Sequence, residues 1–285
     1  MIYLNGEFMP IDQAKISVLD RGFIFGDGVY EVIPAYSRRP FRLGEHLARL
    51  QASLDAIRIA NTHDNSKWAE LVGRIIAGNP WEDQNVYLQI TRGVAKRDHA
   101  FPKGLKPTVF LMASELIPPS AELVKTGAKA IVLPDFRWLR CDIKSTSLLG
   151  NCMLRTVAAD EGCTESILVR DGEMTEASAS NVFVVKHGTV LAPPKSHLIL
   201  PGITYDVVLE ILRDNAIPHE VRPVKEGELR SADEVWVTSS SREVLPITTL
   251  DGKPVGSGKP GPVGAKVYAL YQEFKARVMR APAHA

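Results

Sequence analysis

The spacing of apolar residues changes abruptly along this chain, and that change limits the folds open to it. Leu43, Leu47, Leu50, Leu54 and Ile57 recur at intervals of four, three, four and three, the pattern of one buried helical face. Trp68, Leu71, Val72, Ile75 and Ile76 make a second such face. From Gln84 to Arg92 the period drops to two, with Val86, Leu88 and Ile90 alternating against Tyr87, Gln89 and Thr91, and Thr108 to Ala113 is a continuous apolar run suited to a buried strand. Asn5-Gly6 is a two-residue hairpin signal, and Val29 to Ile33 is rich in β-branched residues. The first half therefore predicts an α+β domain.

Pro118-Pro119 removes two amide donors and resists helix, which places a boundary there: residues 1–115 as an N-terminal α+β domain, 116–120 as linker and 121–285 as a C-terminal domain. The second half is β-rich. Ala128 to Leu133, Ser166 to Arg170, Ser180 to Lys186, Thr189 to Ala192 and Glu234 to Ser239 read as strands, with turns at Arg170 to Glu173 and His187-Gly188. Helices at about 148 to 161, 203 to 215 and 263 to 279 complete a β-barrel-like α/β domain, so the fold class is two-domain α+β / α/β.

With 285 residues, 45% hydrophobic and 24% charged, the chain can bury about three quarters of its unfolded surface. Its net charge is +1 and it has no Lys/Arg block of five, which argues against nucleic acid or an anionic membrane as partner. No run approaches the roughly 18 apolar residues of a membrane span, and the N-terminus lacks a basic segment followed by a long apolar one. Cys141, Cys152 and Cys163 are odd in number and form no CxxC pair, as expected in a reducing compartment. The expectation is a cytoplasmic enzyme acting on small molecules.

Several motifs are decoys. Gly256-Ser257-Gly258-Lys259 is followed by Pro260 and lacks the leading glycine of a phosphate-binding loop, so it reads as a surface turn. His46, His63, His99, His187, His197, His219 and His284 show no HxxxH spacing, and no metal is expected. There is no GxSxG elbow.

Arg140-Cys141-Asp142-Ile143-Lys144-Ser145 lies between an apolar strand and a helix, where rigid elements can aim a lysine into a cleft. Taken singly, Lys144 would be a solvated lysine with a pKa of about 10.4. Its neighbours change that reading. Phe25-Gly26-Asp27-Gly28-Val29-Tyr30-Glu31, Glu45-His46-Leu47-Ala48-Arg49-Leu50, the lysine segment, Thr175 to Phe183 and Leu200-Pro201-Gly202-Ile203-Thr204 occur in this order. Together they resemble the fold-type IV pyridoxal-phosphate enzymes, the class IV aminotransferases, over nearly the whole chain. That family includes D-amino-acid transaminases, branched-chain L-amino-acid transaminases and aminodeoxychorismate lyases.

The resemblance implies pyridoxal 5′-phosphate at the domain interface, with Lys144 as the catalytic amine. Chemically, an amine in a dry or cationic site loses its proton more easily, can bond the cofactor aldehyde and can then shuttle a proton. Glu176 matches the carboxylate that partners the pyridine nitrogen, although read alone it would be an exposed residue at a strand start. Arg49 supplies a forked cation to the phosphate, and Ile203 and Thr204 open a helix whose amides form an anion site. Ser240 is the implied phosphate contact in Ser239-Ser240-Ser241, a run that by itself reads equally well as a polar loop.

Thr91 to Pro102 and Trp138 to Lys144 resemble the D-amino-acid branch. There Tyr30, Arg97 and His99 correspond to a trap for the substrate α-carboxylate; in an extended segment Arg97 and His99 share a face while Asp98 points away. Two residues depart from the family pattern. Asp98 stands where a small residue is usual, Pro34 where a basic one is, and Asp98 is expected to lower the positive potential that favours dicarboxylic substrates. The implied activity is ping-pong transfer of the amino group of D-alanine or another D-amino acid to 2-oxoglutarate or another 2-oxo acid. A homodimer whose neighbouring subunit completes the active site is implied as well. A branched-chain L-amino-acid transaminase, an (R)-amine transaminase and an aminodeoxychorismate lyase are the alternatives within the fold.

Overall fold

The computed structural model describes residues 1–280, which divide into two compact units. Met1–Ile117 and Ile143–Leu148 form the first; Pro118–Asp142 and residues 149–280 form the second. The lysine-bearing segment, expected inside the C-terminal domain, therefore belongs to the first unit. Its Ile143 is buried in that unit's core, which holds it more firmly than sequence proximity could.

The first unit is a six-stranded sheet in the order β2-β1-β6-β5-β3-β4, built from β1 (Ile2–Leu4), β2 (Glu7–Met9), β3 (Gly28–Tyr36), β4 (Arg39–Pro40), β5 (Gln84–Thr91) and β6 (Thr108–Glu115). Every pairing along this path is antiparallel. The β1–β2 turn uses Asn5 at φ 51° and Gly6 at φ 114°, the left-handed pair a tight hairpin needs. Pro34 sits inside β3 but pairs with Asn85 of β5 on one side only, so its missing N–H breaks no two-sided ladder.

Three α-helices belong to this unit: α1 (Arg21–Phe25), α2 (Leu43–Ala56) and α3 (Asn65–Ala77). Asp64 caps α3 by accepting from the Lys67 amide at 2.7 Å. The apolar faces read from the sequence are the buried ones: Leu47, Leu50 and Leu54 of α2 and Trp68, Leu71, Val72, Ile75 and Ile76 of α3 pack on Val29, Ile33, Val86, Leu88 and Ile90. Each such side chain contributes about 1.5–3 kcal/mol of transfer free energy. The short α1 has no apolar periodicity to announce it; Asp20 nucleates it by accepting from Gly22 N at 2.8 Å.

The second unit contains α4 (Ala121–Thr126), β7 (Ala128–Pro134), α5 (Leu149–Asp160), β8 (Glu165–Arg170), β9 (Glu173–Ala177), β10 (Asn181–Lys186), β11 (Thr189–Ala192) and α6 (Ile203–Asp214). It continues through β12 (His219–Val221), β13 (Val224–Lys225), α7 (Glu226–Arg230), β14 (Glu234–Ser239), β15 (Glu243–Leu250), β16 (Lys253–Pro254) and α8 (Pro262–Phe274). Its ten-stranded sheet runs β12-β11-β10-β14-β15-β7-β8-β9-β13, with β16 beside β15. The sheet curls: the Ala177 amide at the end of β9 donates to Ser180 O at the entrance of β10, although those strands are not neighbours in the order.

Strand β15, central here, is absent from the sequence reading. Its Pro246 argues against a central strand, yet the parallel pairing with β7 begins only at Ile247, so the proline meets the ladder on one side. The helix expected over 263 to 279 is α-helical to Phe274 and continues as a π turn over Lys275–Met279. Gly256 and Gly258 stand in a tight turn at φ 53° and 73°, where Gly258 N donates to Val255 O at 2.8 Å.

Candidate active site

Lys144 is placed by its backbone. Tyr30 N donates to Lys144 O at 2.9 Å, Thr146 N donates to Gly28 O at 3.0 Å, and Val29 and Ser145 form an antiparallel bridge. The segment thus runs against the edge of β3 through one isolated bridge and two backbone bonds. Its own amide donates to Ser53 Oγ of α2 at 3.2 Å, and Thr146 Oγ1 and Ser147 Oγ donate to Gly26 O at 2.8 and 3.0 Å. The glycines of Phe25-Gly26-Asp27-Gly28 permit this approach. A Cβ on Gly28 would lie 2.7 Å from Ile90 O and 3.3 Å from Thr146 Oγ1, and one on Gly26, already at φ 65°, would lie 2.7 Å from Ser147 Oγ. The half-buried Lys144 carries its Nζ 4.2 Å from the Tyr30 ring centroid, and Tyr30 in turn stacks on Tyr87 at 5.6 Å.

Alternation along β3 sends Tyr30 to one face and Val29, Glu31 and Ile33 to the core face under α2. A carboxylate there needs partners. Arg49 Nε and Nη2 donate to Glu31 Oε1 and Oε2, both at 2.8 Å, and His46 Nδ1 lies 2.8 Å from Oε2. Burial pushes the Glu31 carboxyl up, but the Arg49 charge and the bonds from Arg49 and His46 outweigh it and bring the pKa down to about 2. Burial lowers the His46 pKa against the pull of Glu31, and the positive charges of Arg49 and Lys144 lower it further. His46 Nε2 is buried without a hydrogen-bond partner among the described residues.

The second unit organises Glu176 on β9. Arg137 Nη1 donates to Glu176 Oε1 at 2.5 Å, while Leu200 N and Asn181 Nδ2 donate to Oε2 at 3.0 and 3.3 Å. Arg137 is itself held by Asp135 through Nε and Nη2 at 2.9 Å each, and Thr175 Oγ1 donates to the same Asp135 at 2.8 Å. Full burial pushes the Glu176 carboxyl up to about 7 even though Arg137 and the Leu200 amide hold it down. Two residues beyond Leu200, Gly202 begins α6 with no side-chain cap, so the first-turn amides around buried Ile203 and Thr204 keep their donor character at the positive dipole end. Ser240 is half-buried in the turn joining β14 to β15, where Ser239 Oγ accepts from Arg242 N at 3.1 Å.

Arg97, Asp98 and His99 lie exposed in the connection from β5 to β6, which is not a strand at this point. Arg97 and His99 nevertheless share a side: the Arg97 guanidinium is 5.3 Å from the Phe25 ring centroid and the His99 ring 5.5 Å from it. Asp98 turns to its own backbone, Oδ1 accepting from Ala100 N at 3.0 Å.

Glu31, His46, Asp135 and Arg137 escaped the sequence reading as site residues. Glu31 and His46 had a signal, a carboxylate at a core position of an alternating strand and a histidine one turn before Arg49. Arg137 had none, because its partner Glu176 is far along the chain and only the sheet brings them together. Among the described residues no group of three or more His, Cys, Asp or Glu could hold a metal ion, and no helix is long and apolar enough to cross a membrane; His284 lies outside those residues.

The family is shown by direct comparison. Residues 28–250 match the model of amino-transferase class IV, and the chain belongs to that family. Among curated relatives it is similar to the D-alanine aminotransferase of Bacillus licheniformis, with 40% identity over 271 residues covering 95% of each chain. It is also similar to that of Staphylococcus haemolyticus, with 38% identity over 274 residues covering 96% of this chain and 97% of the relative. Among solved structures, a T.th. branched-chain amino acid aminotransferase with pyridoxamine 5′-phosphate superposes with a TM-score of 0.90 at 27% identity, covering 99% of this chain and 95% of that one.

Proposed function

We propose that this chain is a pyridoxal phosphate-dependent aminotransferase that moves the amino group of D-alanine, or of another D-amino acid, to 2-oxoglutarate or another 2-oxo acid by a ping-pong mechanism. One observation carries the chemistry: a lysine whose carbonyl accepts from the Tyr30 amide, in a segment that Thr146 ties to Gly28, with its Nζ over the Tyr30 ring. The D-preference draws on the relatives at 38–40% identity, which are named for D-alanine, against 27% for the branched-chain structure.

The residues fit the cofactor. The positive charges of Arg49 and Lys144 suit an anion, as does the uncapped start of α6. Buried Glu176 suits a protonated ring nitrogen. When bound, pyridoxal phosphate supplies the carbonyl that takes up an amino group and the ring that withdraws electrons from the substrate α-carbon. Arg49, Ile203, Thr204 and Ser240 would bind its phosphate, and Glu176 would keep a proton on the ring nitrogen. Lys144 Nζ would take the proton from the substrate α-carbon and deliver it to the carbonyl-derived carbon of the bound cofactor within the same half-reaction, and would carry a proton the opposite way in the second half. Tyr30, Arg97 and His99 would bind the α-carboxylate.

A homodimer belongs to the same proposal. In the first unit Ile16, Val18 and Phe23 are exposed, and in the second Leu149, Met153 and Val157 form an exposed apolar stripe along α5 at spacings of four. Apolar surface grouped in this way suits a partner, here a second copy. Sedimentation at twice 31.3 kDa is expected, and a fully active monomer would overturn it. Free thiols at Cys141, Cys152 and Cys163 support the cytoplasm as location.

The deciding experiment is a half-reaction. Purified enzyme is mixed separately with D- and L-alanine and the cofactor absorbance is followed. A shift with D-alanine is expected; a shift with L-alanine alone would sink the D-assignment, and a protein without visible absorbance would sink the cofactor itself. Turnover of L-leucine but not D-alanine would favour the branched-chain reading.

A further inference from the structure

The connection between β5 and β6, residues 92–107, contains neither helix nor regular strand, although it carries Arg97 and His99. A connection of that length without secondary structure is uncommon unless it has a function, and it needs something to order it. Its near end is pinned by backbone bonds: Arg21 N donates to Gly93 O at 2.9 Å, Ala95 N donates to Leu19 O at 3.2 Å, and Asp20 bridges Val94. Its tip is held from below by one buried side chain. Arg21, 2% exposed, sends Nη1 to Asp98 O at 2.5 Å and Nη2 toward His99 O at 3.5 Å.

The rest of that guanidinium is fixed as well. Its Nε donates to Asp27 Oδ2 at 2.7 Å, and the same carboxylate receives Arg92 Nε and Nη2 at 2.8 and 2.9 Å. Arg92 lies 3.6 Å from the Phe101 ring centroid, on the return limb of the connection. Arg21 also lies 4.7 Å from the ring centroid of Phe25, the ring that both Arg97 and His99 approach. Asp27, Arg21 and Phe25 thus form a rigid platform beneath two exposed side chains.

We infer that Arg21 is a positioning residue for the carboxylate-binding loop, fixing the Asp98 and His99 carbonyls so that Arg97 and His99 meet the substrate already ordered. This rests on the reading that Arg97 and His99 hold the α-carboxylate. Arginine is required because three nitrogens on one plane serve one carboxylate and two carbonyls, whereas a lysine ammonium is a single point on a flexible stem. Preorganisation of this kind affects substrate capture more than the chemical step.

The test compares Arg21→Met, Arg21→Lys and Arg97→Ala holoenzymes in the D-alanine half-reaction, with propionate as a competing carboxylate. Displacing the loop by about 1 Å is expected to raise the D-alanine half-saturation concentration and the propionate inhibition constant about 10- to 100-fold, with a much smaller change in limiting rate. Arg21→Lys, which can keep the Asp27 ion pair, is expected to show the same split and serves if Arg21→Met does not fold. Unchanged half-saturation in Arg21→Lys, or in both variants, while Arg97→Ala raises it, overturns this inference alone, even if the melting temperature falls. Unchanged half-saturation in Arg97→Ala overturns the carboxylate reading beneath it.

Discussion

Tyr30 and Lys144, separated by more than a hundred positions in sequence, are joined by a backbone hydrogen bond of 2.9 Å from the tyrosine amide to the lysine carbonyl. That bond aligns the two side chains, with the ammonium of Lys144 4.2 Å from the Tyr30 ring centroid. The lysine is thereby held by main-chain geometry and not by a loop's chance conformation. Replacing it by alanine leaves those backbone bonds possible and removes only the amine. Lys144→Ala is expected to lower turnover with D-alanine by about 10²- to 10⁴-fold or more, with little change in melting temperature.

Gly28 tests the placement from the other side. A Cβ there would lie 2.7 Å from Ile90 O and 3.1 Å from Thr91 Cα, both main-chain atoms that cannot step aside. Gly28→Val is expected to destabilise by about 1–3 kcal/mol through overpacking, and to loosen the Lys144 segment. Thermal unfolding and turnover of the same preparation check it; a variant with wild-type stability and activity would show that the segment is not held through this contact.

Glu31 should shape the acid limb of stability. Its native pKa of about 2 lies below the ordinary carboxylate value of 4.5, so its contribution is complete above 4.5 and is lost as pH falls toward 2. Glu31→Gln should flatten that part of the unfolding curve and, at neutral pH, cost about 3 kcal/mol by leaving Arg49 and His46 without their anion. Chemical denaturation between pH 2 and 7 reads both effects.

Glu176 has the opposite sign. Its native pKa is raised to about 7, so between 4.5 and 7 the folded chain keeps a proton the unfolded chain has released, and stability falls as pH rises through that window. Arg137, whose Nη1 is 2.5 Å from the carboxylate, opposes the rise. Arg137→Met should therefore move the Glu176 ionisation upward by about 1–3 units and carry the acid limb of kcat/KM with it. Arg137→Lys should restore part of the shift, and an unmoved limb would detach Arg137 from the ionisation.

The helices α2 and α3 were legible because one apolar stripe has one solution, burial against a sheet. Strand β5 was legible at period two, β6 as a continuous apolar run, and β7 and β14 as short extended runs set between turns. Strand β15 was not: Pro246 is forbidden only where both sides of a strand are paired, and pairing partners are not written in a local window. Ordered motifs singled out Lys144, Arg49 and Glu176 as candidates, but not what surrounds them.

By itself the sequence determined the long helices and most of the strands, the residue types able to do the chemistry, and the family. Tertiary structure decided which unit holds Lys144, which carboxylate meets which guanidinium, and that buried Arg21 lies under the loop of Arg97 and His99. The reason is physical. Periodicity is local and is set by backbone geometry over a few turns, whereas the Glu31–Arg49, Glu176–Arg137 and Arg21–Asp98 contacts depend on desolvation and hydrogen-bond geometry between segments that only the folded sheets bring together.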